Sequence, residues 1–339
     1  MGLCSATITC MSIISNCTES AIKDAVASLI SGNLVTFPTE TVYGLGADAA
    51  NKGAVLRIYE VKGRPVDHPL IVHISSIERL DKWARDIPEY AIKLARSYWP
   101  GPMTLILPRT KLAKDFITAG QDNVGIRVPS HTVALELLKE FESQGGLGVA
   151  APSANRFGKV SPTTAQAVSD ELSNYLTSAD LILDGGPCAV GVESTIINCT
   201  QRLPVIIRPG EVSREMIEDL LSIKLPIFDT QSNQIKAPGL LASHYSPNAK
   251  VFLTGTPVPG DGLIAPIGIK TPEGVIRLAA PQNNTEYAHT LYNAMRQGDA
   301  LGIKNIYALP AEDVGVGVAI NDRLIKAAAR DIPINTIQI

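Results

Sequence analysis

Three short loops carry the residues whose types and spacing could do chemistry. In Lys62-Gly63-Arg64-Pro65-Val66-Asp67-His68-Pro69 the two cations stand two apart, and Pro65 stops a helix from continuing. An extended segment puts both on one face, where a compact ammonium and a guanidinium fork can grip a triphosphate or a carboxylate. The plain alternative is a solvated basic turn. Phe37-Pro38-Thr39-Glu40-Thr41-Val42-Tyr43-Gly44-Leu45-Gly46 follows a strand-like run and offers two hydroxyls, a carboxylate and a phenol. Its two glycines allow positive φ and close approach of a ligand. The third loop, Ala150 to Pro162, alternates Ser153 and Asn155 and adds Arg156, Lys159 and Ser161, a polar cationic lip suited to phosphate or ribose. Ser153 lacks the G-x-S-x-G surroundings of a hydrolase nucleophile.

Charges also stand at strand ends. Arg127 in Val124-Gly125-Ile126-Arg127-Val128 and Arg208 in Ile207-Arg208-Pro209-Gly210 are flanked by apolar residues, so each needs an anionic partner, from the protein or from a ligand. Glu193 and Asp184 are the expected internal partners. His73, on the run Leu70–Ile74, gains interest only through such neighbours.

The elements that would position these loops alternate in period. Strand-like runs occur at Leu34–Phe37, Leu70–Ile74, Met103–Leu107, Val124–Val128, Leu147–Ala150, Leu181–Leu183, Ser194–Asn198 and Val205–Ile207. Helical patterns at Glu19–Ser31, Glu89–Tyr98, Thr132–Phe141, Thr164–Leu172 and Arg214–Leu221 lie between them, which predicts an α/β domain on one large twisted sheet. The boundaries drawn are 16–222 for this domain, 223–249 for a Pro-rich linker and 250–339 for a second unit. That unit has strands at Val251–Leu253, Leu263–Pro266, Val275–Leu278 and Ile306–Leu309, and helices at Thr285–Gln297 and Asn321–Ala329: a small Rossmann-like α/β domain. It has neither G-x-G-x-x-G nor a P-loop.

Composition narrows the classes. The chain has 339 residues, 45% hydrophobic and 19% charged, enough for about two domains and inconsistent with global disorder. Thirty Lys and Arg against 33 Asp and Glu give a net charge of −3, which argues against a general nucleic-acid coat. Five scattered cysteines form no C-x-x-C pair or zinc spacing and read as structural thiols of a reducing compartment. The absence of a secretory leader pattern or an 18-residue apolar run predicts a soluble, cytoplasmic protein without a membrane role.

Taken together and in order, the motifs resemble the threonylcarbamoyl-AMP synthase family of the YrdC-like superfamily. The resemblance rests on Pro38-Thr39-Glu40-Thr41-Val42-Tyr43-Gly44-Leu45, Lys62-x-Arg64-Pro65 with His68-Pro69-Leu70, Trp99-Pro100-Gly101-Pro102-Met103-Thr104, and Ile126-Arg127-Val128-Pro129. Ala151-Pro152-Ser153-Ala154-Asn155, Val192-Glu193-Ser194-Thr195-Ile196 and Arg208-Pro209-Gly210 extend it. The long form of the family adds a linker like Ala237-Pro238-Gly239 with His244-Tyr245-Ser246-Pro247, and a late motif like Gly315-x-Gly317 with Ala319-Ile320-Asn321-Asp322-Arg323.

This resemblance implies an open twisted mixed α/β sheet whose concave face holds the active site. The enzyme it implies is a nucleotidyltransferase that joins L-threonine, bicarbonate and ATP, with Mg²⁺ carried by the ATP, into threonylcarbamoyl-AMP and pyrophosphate. The product serves N6-threonylcarbamoylation of adenosine 37 in tRNAs reading ANN codons, through a downstream tRNA threonylcarbamoyltransferase complex, with a weak tRNA contact as a further expectation. Carried over by motif, Thr39, His73, Arg127 and Ser194 hold threonine. Lys62, Arg64, His68, Asn123, Ser153, Asn155, Ser161 and Arg208 surround the nucleotide, with Lys62, Arg64, Ser153 and Asn155 the catalytic set. Tyr245 folds over the cleft as a lid and joins the ATP site. The competing reading is a non-enzymatic double-stranded RNA binder that tracks phosphates with the same cations. A module using carbamoyl phosphate is disfavoured, since the zinc-finger cysteine pairs and acylphosphatase region of related hydrogenase-maturation proteins are missing from the sequence.

Overall fold

The computed structural model describes residues 13–226, 235–239 and 245–329. Ten strands form the larger sheet: β1 (Ile13–Asn16), β2 (Val35–Phe37), β3 (Gly44–Asp48), β4 (Ile71–His73), β5 (Met103–Pro108), β6 (Asn123–Arg127), β7 (Val149–Ala150), β8 (Leu181–Asp184), β9 (Thr195–Asn198) and β10 (Val205–Arg208). Their order is β1-β8-β2-β3-β7-β4-β6-β5-β9-β10, with parallel and antiparallel pairs mixed. The smaller sheet is all parallel, in the order β11 (Lys250–Phe252), β14 (Asn305–Ala308), β12 (Gly262–Ile264), β13 (Ile276–Ala279).

Side chains alternate along these strands, which fixes what each face does. Val72, Leu105, Ile126 and Ile197 enter the main core under the helices, while their neighbours Ile71, Ile106, Ile196 and Ile207 form a separate apolar cluster on the opposite face. A strap of the linker, residues 235–239, covers that cluster with Ala237 and Ile235. The smaller domain does not stand apart. Tyr245, Tyr292 and Ile320 share one core with Val42, Val160 and Val192 of the larger sheet's loops.

Five helices of the first domain appear where the periodicity puts them, with Thr18, Thr164 and Ser213 as side-chain N-caps. Three features differ. Gly44–Asp48, read as the end of a loop, is a strand paired with both β2 and β7. Neither Gly44 nor Gly46 needs positive φ; a Cβ on Gly46 would stand 2.7 Å from the Phe37 ring and 2.8 Å from Val149, so the requirement there is close packing. Finally, Lys52–Lys62 is a helix capped by Asn51 and closed by Gly63 at φ 59°. Lys62 and Arg64 therefore do not share an extended segment; a left-handed glycine turns the chain between them.

Cys4, Cys10 and His244 lie outside the described residues. Cys188 and Cys199 are buried, and burial raises the thiol pKa of both, Cys188 to about 12. Such thiols are poor nucleophiles.

Candidate active site

A cavity of about 50 Å³ opens where β3, β4, β6, β9 and β10 bring their loops together, bounded by Thr39, His73, Arg127, Ser194, Arg208 and Tyr245. That volume suits roughly three to five water molecules.

One wall centres on the buried Arg127. Arg127 ends β6 with its guanidinium 2.7 Å from Glu40, 2.9 Å from the Thr41 hydroxyl and 3.3 Å from the Gly101 carbonyl. Glu40, not Glu193 or Asp184, is thus the partner of this buried cation. The guanidinium commits Nε to Gly101 and Nη1 to Thr41, while Nη2, ion-paired with Glu40, makes no hydrogen bond among the described residues. Thr39 Oγ1 bonds Thr41 Oγ1 and donates to the Val42 carbonyl, which shapes the turn that delivers Glu40 and Thr41. His73 is buried, and desolvation together with Arg127 lowers its pKa to about 3, so the imidazole is neutral at physiological pH. Its Nδ1 has no hydrogen-bond partner among the described residues. Ser194 Oγ meets Thr104 Oγ1 at 2.8 Å and lies 3.1 Å from Arg208 Nη2.

The opposite wall is cationic. Arg64 lines the cavity, donates 3.0 Å to the Pro69 carbonyl, and leaves Nε without a partner among the described residues. Burial lowers its pKa to about 10, still a full charge at neutral pH. Arg208 grips the Ser194 carbonyl through Nε and Nη2 at 3.1 and 2.9 Å and reaches the strap's Pro238 carbonyl at 3.0 Å. Ser153 also lines the cavity, and its loop forms a β-bridge to Gly44.

Five expected site residues sit behind or beside this cavity. Lys62 is buried with Nζ on the carbonyls of Ser153 (2.5 Å) and Asn155, so it anchors the polar loop from behind; burial drives its pKa well down. Asn155 turns its amide onto the Arg156 and Lys159 carbonyls, each at 2.8 Å. Ser161 donates to Glu193 at 2.6 Å. His68 is not among the cavity-lining residues and packs against Phe157. Asn123 lines a recess under the strap, which shares Ile71 and Pro238 with the main cavity.

Two family profiles match the chain: one described as "Telomere recombination" over residues 27–210, and one described as "Threonylcarbamoyl-AMP synthase, C-terminal domain" over 212–329. Together they span the chain from the first domain to the last described helix. The chain belongs to the threonylcarbamoyl-AMP synthase family. The threonylcarbamoyl-AMP synthases of Pyrococcus abyssi and Bacillus subtilis are each 40% identical to it over 330 residues, covering 91% of this chain and 94% and 92% of theirs. The crystal structure of the Pyrococcus abyssi protein complexed with L-threonine superposes with a TM-score of 0.84 at 38% identity, over 94% of this chain and 98% of that one. The large mixed sheet with a small parallel domain is thus the two-domain architecture of this family.

Against that family background, the residues that motif reading passed over come from the second domain. Arg323 Nε lies 3.0 Å from Glu193, and Tyr292 donates to the same carboxylate at 2.9 Å. Asp322-Arg323 stood in the family's late motif, but nothing in a one-dimensional pattern says that it reaches a loop 130 positions earlier. Glu40 was visible in its loop; its pairing with Arg127 was not.

Proposed function

We infer that this chain makes threonylcarbamoyl-AMP: it condenses L-threonine, bicarbonate and ATP and releases pyrophosphate, for the N6-threonylcarbamoyl group at tRNA position 37. The observation that carries this reading is a cavity lined by the buried Arg127, His73, Arg64 and Arg208, in a chain whose whole-length relatives are these synthases. The RNA-binding alternative has no observation in its favour.

The chemistry needs no protein nucleophile. Threonine's amine attacks the carbon of bicarbonate or CO₂, giving a carbamate, with water leaving when bicarbonate is the donor. A carbamate oxygen then attacks the α-phosphorus and pyrophosphate departs, which makes the enzyme a nucleotidyltransferase. Positioning and charge neutralisation are the whole task. Arg127 takes the threonine carboxylate on its uncommitted N–H groups, while neutral His73 and the hydroxyls of Thr39 and Ser194 orient the rest. Arg64 and Arg208 face the phosphates. Lys62 and Asn155 hold the Ser153 loop against them, with Ser161, His68 and Asn123 at the edge of the nucleotide's path.

Among the described residues no three His, Cys, Asp or Glu side chains are grouped to hold a metal, and the two carboxylates nearest the cavity, Glu40 and Glu193, are each ion-paired. This arrangement suits Mg²⁺ arriving on the triphosphate, where it neutralises phosphate charge. The adenylate then passes to a tRNA threonylcarbamoyltransferase, with a weak tRNA contact to this chain. No helix among the described residues is long and apolar enough to cross a membrane, and a cytoplasmic site of action is part of this proposal.

Pyrophosphate release that requires both L-threonine and bicarbonate tests the reading; release indifferent to either would contradict it. The product is labile in water, so the lid has a purpose. Tyr245, buried between Tyr292 and the Arg323 guanidinium, closes the cavity. With Tyr245→Ala, ATP consumption continues while the share recovered as intact adenylate falls several-fold by mass spectrometry. An unchanged share would remove Tyr245 from this role.

A further inference from the structure

Ser194 reaches the cavity from the residue before β9, and its hydroxyl is met from two sides. Arg208 Nη2 lies 3.1 Å from Ser194 Oγ, and a guanidinium can only donate. Thr104 Oγ1, on β5, stands 2.8 Å from the same oxygen. The sheet fixes this meeting: β5 and β9 run parallel with Thr104 opposite Ile196, and the Thr195 amide donates to the Pro102 carbonyl at 2.9 Å. Side chains alternate along a strand, so Met103 and Leu105 enter the main core while Thr104 stands with Ile106 on the opposite face. Thr104 is fully buried, does not line the cavity, and has Ser194 as the one hydrogen-bond partner of its hydroxyl among the described residues. Nor does it hold the turn in place. The Ser194 carbonyl is gripped by Arg208, and Thr195 Oγ1 donates to the Val212 carbonyl at 2.8 Å. A valine would fill the same volume in this apolar strand with no polar group to satisfy, so the hydroxyl of Thr104 acts on the hydroxyl of Ser194.

The direction of the proton between them follows from counting acceptors. If Ser194 donated to Thr104, the Thr104 proton would be left in a buried site without an acceptor, which costs free energy. If Thr104 donates, its own proton is satisfied and Ser194 Oγ accepts from both Thr104 and Arg208. A hydroxyl has two lone pairs and one proton. With both lone pairs occupied, Ser194 can act toward a ligand only as a donor, and its proton is turned into the cavity. We propose that Thr104 is a positioning residue for substrate binding: by donating to Ser194 Oγ it fixes the Ser194 proton as a donor to an anionic oxygen of the bound amino acid. The same arrangement bars Ser194 from holding the substrate's ammonium, which needs an acceptor. This rests on the threonine-dependent reaction inferred above and adds to it a residue that touches no reactant. Hydrogen bonds in such a chain polarise one another, so the Thr104 and Arg208 contacts together make Ser194 a stronger donor than an isolated serine.

Thr104→Val keeps the shape of the side chain and removes its hydroxyl. The expected result is a KM for L-threonine raised about three- to tenfold, the scale of one neutral hydrogen bond, with kcat and the KM for ATP within twofold. Thr104→Ser, which keeps the hydroxyl, stays within twofold of wild type in all three. Because Thr104 acts through Ser194, adding Thr104→Val to Ser194→Ala raises the KM for L-threonine no further. Calorimetric titration of L-threonine into the ATP-free protein repeats these ratios without turnover. Unchanged threonine affinity in Thr104→Val overturns the assignment. So does a loss in Thr104→Ser equal to that in Thr104→Val, which would place the effect in the methyl group, and so does full additivity in the double variant. Wild-type protein that binds L-threonine with these ratios but releases no pyrophosphate would instead overturn the reaction, and the titration keeps the two failures distinct.

Discussion

Replacing Arg127 with alanine raises the KM for L-threonine and lowers kcat/KM by about 10²–10³. Two physical terms combine. The substrate carboxylate loses its counter-ion in a buried site, a loss worth roughly 2–5 kcal/mol for a truncated charged hydrogen-bonding partner. Glu40, only 7% exposed, is at the same time left with the Ser130 amide as its remaining partner among the described residues. An uncompensated buried carboxylate costs about 3–5 kcal/mol, so the variant also unfolds at lower temperature. Arg127→Lys separates the two: it keeps the charge beside Glu40 but lacks the fork, so stability recovers further than threonine binding does. Steady-state kinetics at varied threonine check this, and a KM for threonine within twofold of wild type in Arg127→Ala would remove Arg127 from the substrate site.

Glu193→Ala is expected to lower the thermal midpoint by on the order of 10 °C, the scale of losing one partner of a buried ion pair in a protein of this size. Its carboxylate accepts from Ser161, Tyr292 and Arg323, and the Arg323 side chain is fully buried, so alanine leaves that cation with Asp322 as its one carboxylate partner among the described residues and removes the shared acceptor of two hydroxyls. Burial by itself would raise the Glu193 pKa, but Arg323 and Arg208 outweigh it and hold the group at about 2, against 4.5 for an ordinary glutamate. A depressed carboxylate pKa stabilises the folded state fully above the unfolded value and loses that contribution as pH falls through the folded one. The midpoint difference between wild type and Glu193→Gln is therefore constant above pH 4.5 and shrinks from there towards pH 2. Calorimetry across that range decides it; a difference that does not change below pH 4.5 would contradict the ionised assignment.

Much of this molecule is legible in its sequence, for reasons that also show where reading stops. Helices such as Glu89–Tyr98 and Arg214–Leu221 announce themselves by apolar spacing, because each buries one face. The helix Lys52–Lys62 escapes notice because its buried face ends on a lysine and its first turn carries Gly53, although Asn51 and Gly63 mark its two ends. Gly44–Asp48 escapes because two glycines weaken its strand signal, and only the Phe37 ring and Val149 against Gly46 explain why they stand there. At the site, residue types give the chemistry without the partners. That Arg127 and Arg208 need anions or carbonyls follows from burial alone. That Arg127 finds Glu40, or that Glu193 waits for Arg323, depends on the topology that brings residues 40, 127, 193 and 323 to one end of the sheet. Lys62 is the sharpest case: its motif suggests a phosphate ligand, while its Nζ anchors the loop carrying Ser153 and Asn155.

The central claim is that one cavity joins three reactants through a single carbon. Purified protein incubated with ATP, L-threonine and ¹³C-bicarbonate, quenched and examined by mass spectrometry, tests it directly. The account predicts threonylcarbamoyl-AMP carrying one labelled carbon, formed in step with pyrophosphate and absent when any reactant is omitted. Pyrophosphate or AMP accumulating at the same rate without threonine, or no labelled adenylate under conditions where ATP is consumed, would contradict it.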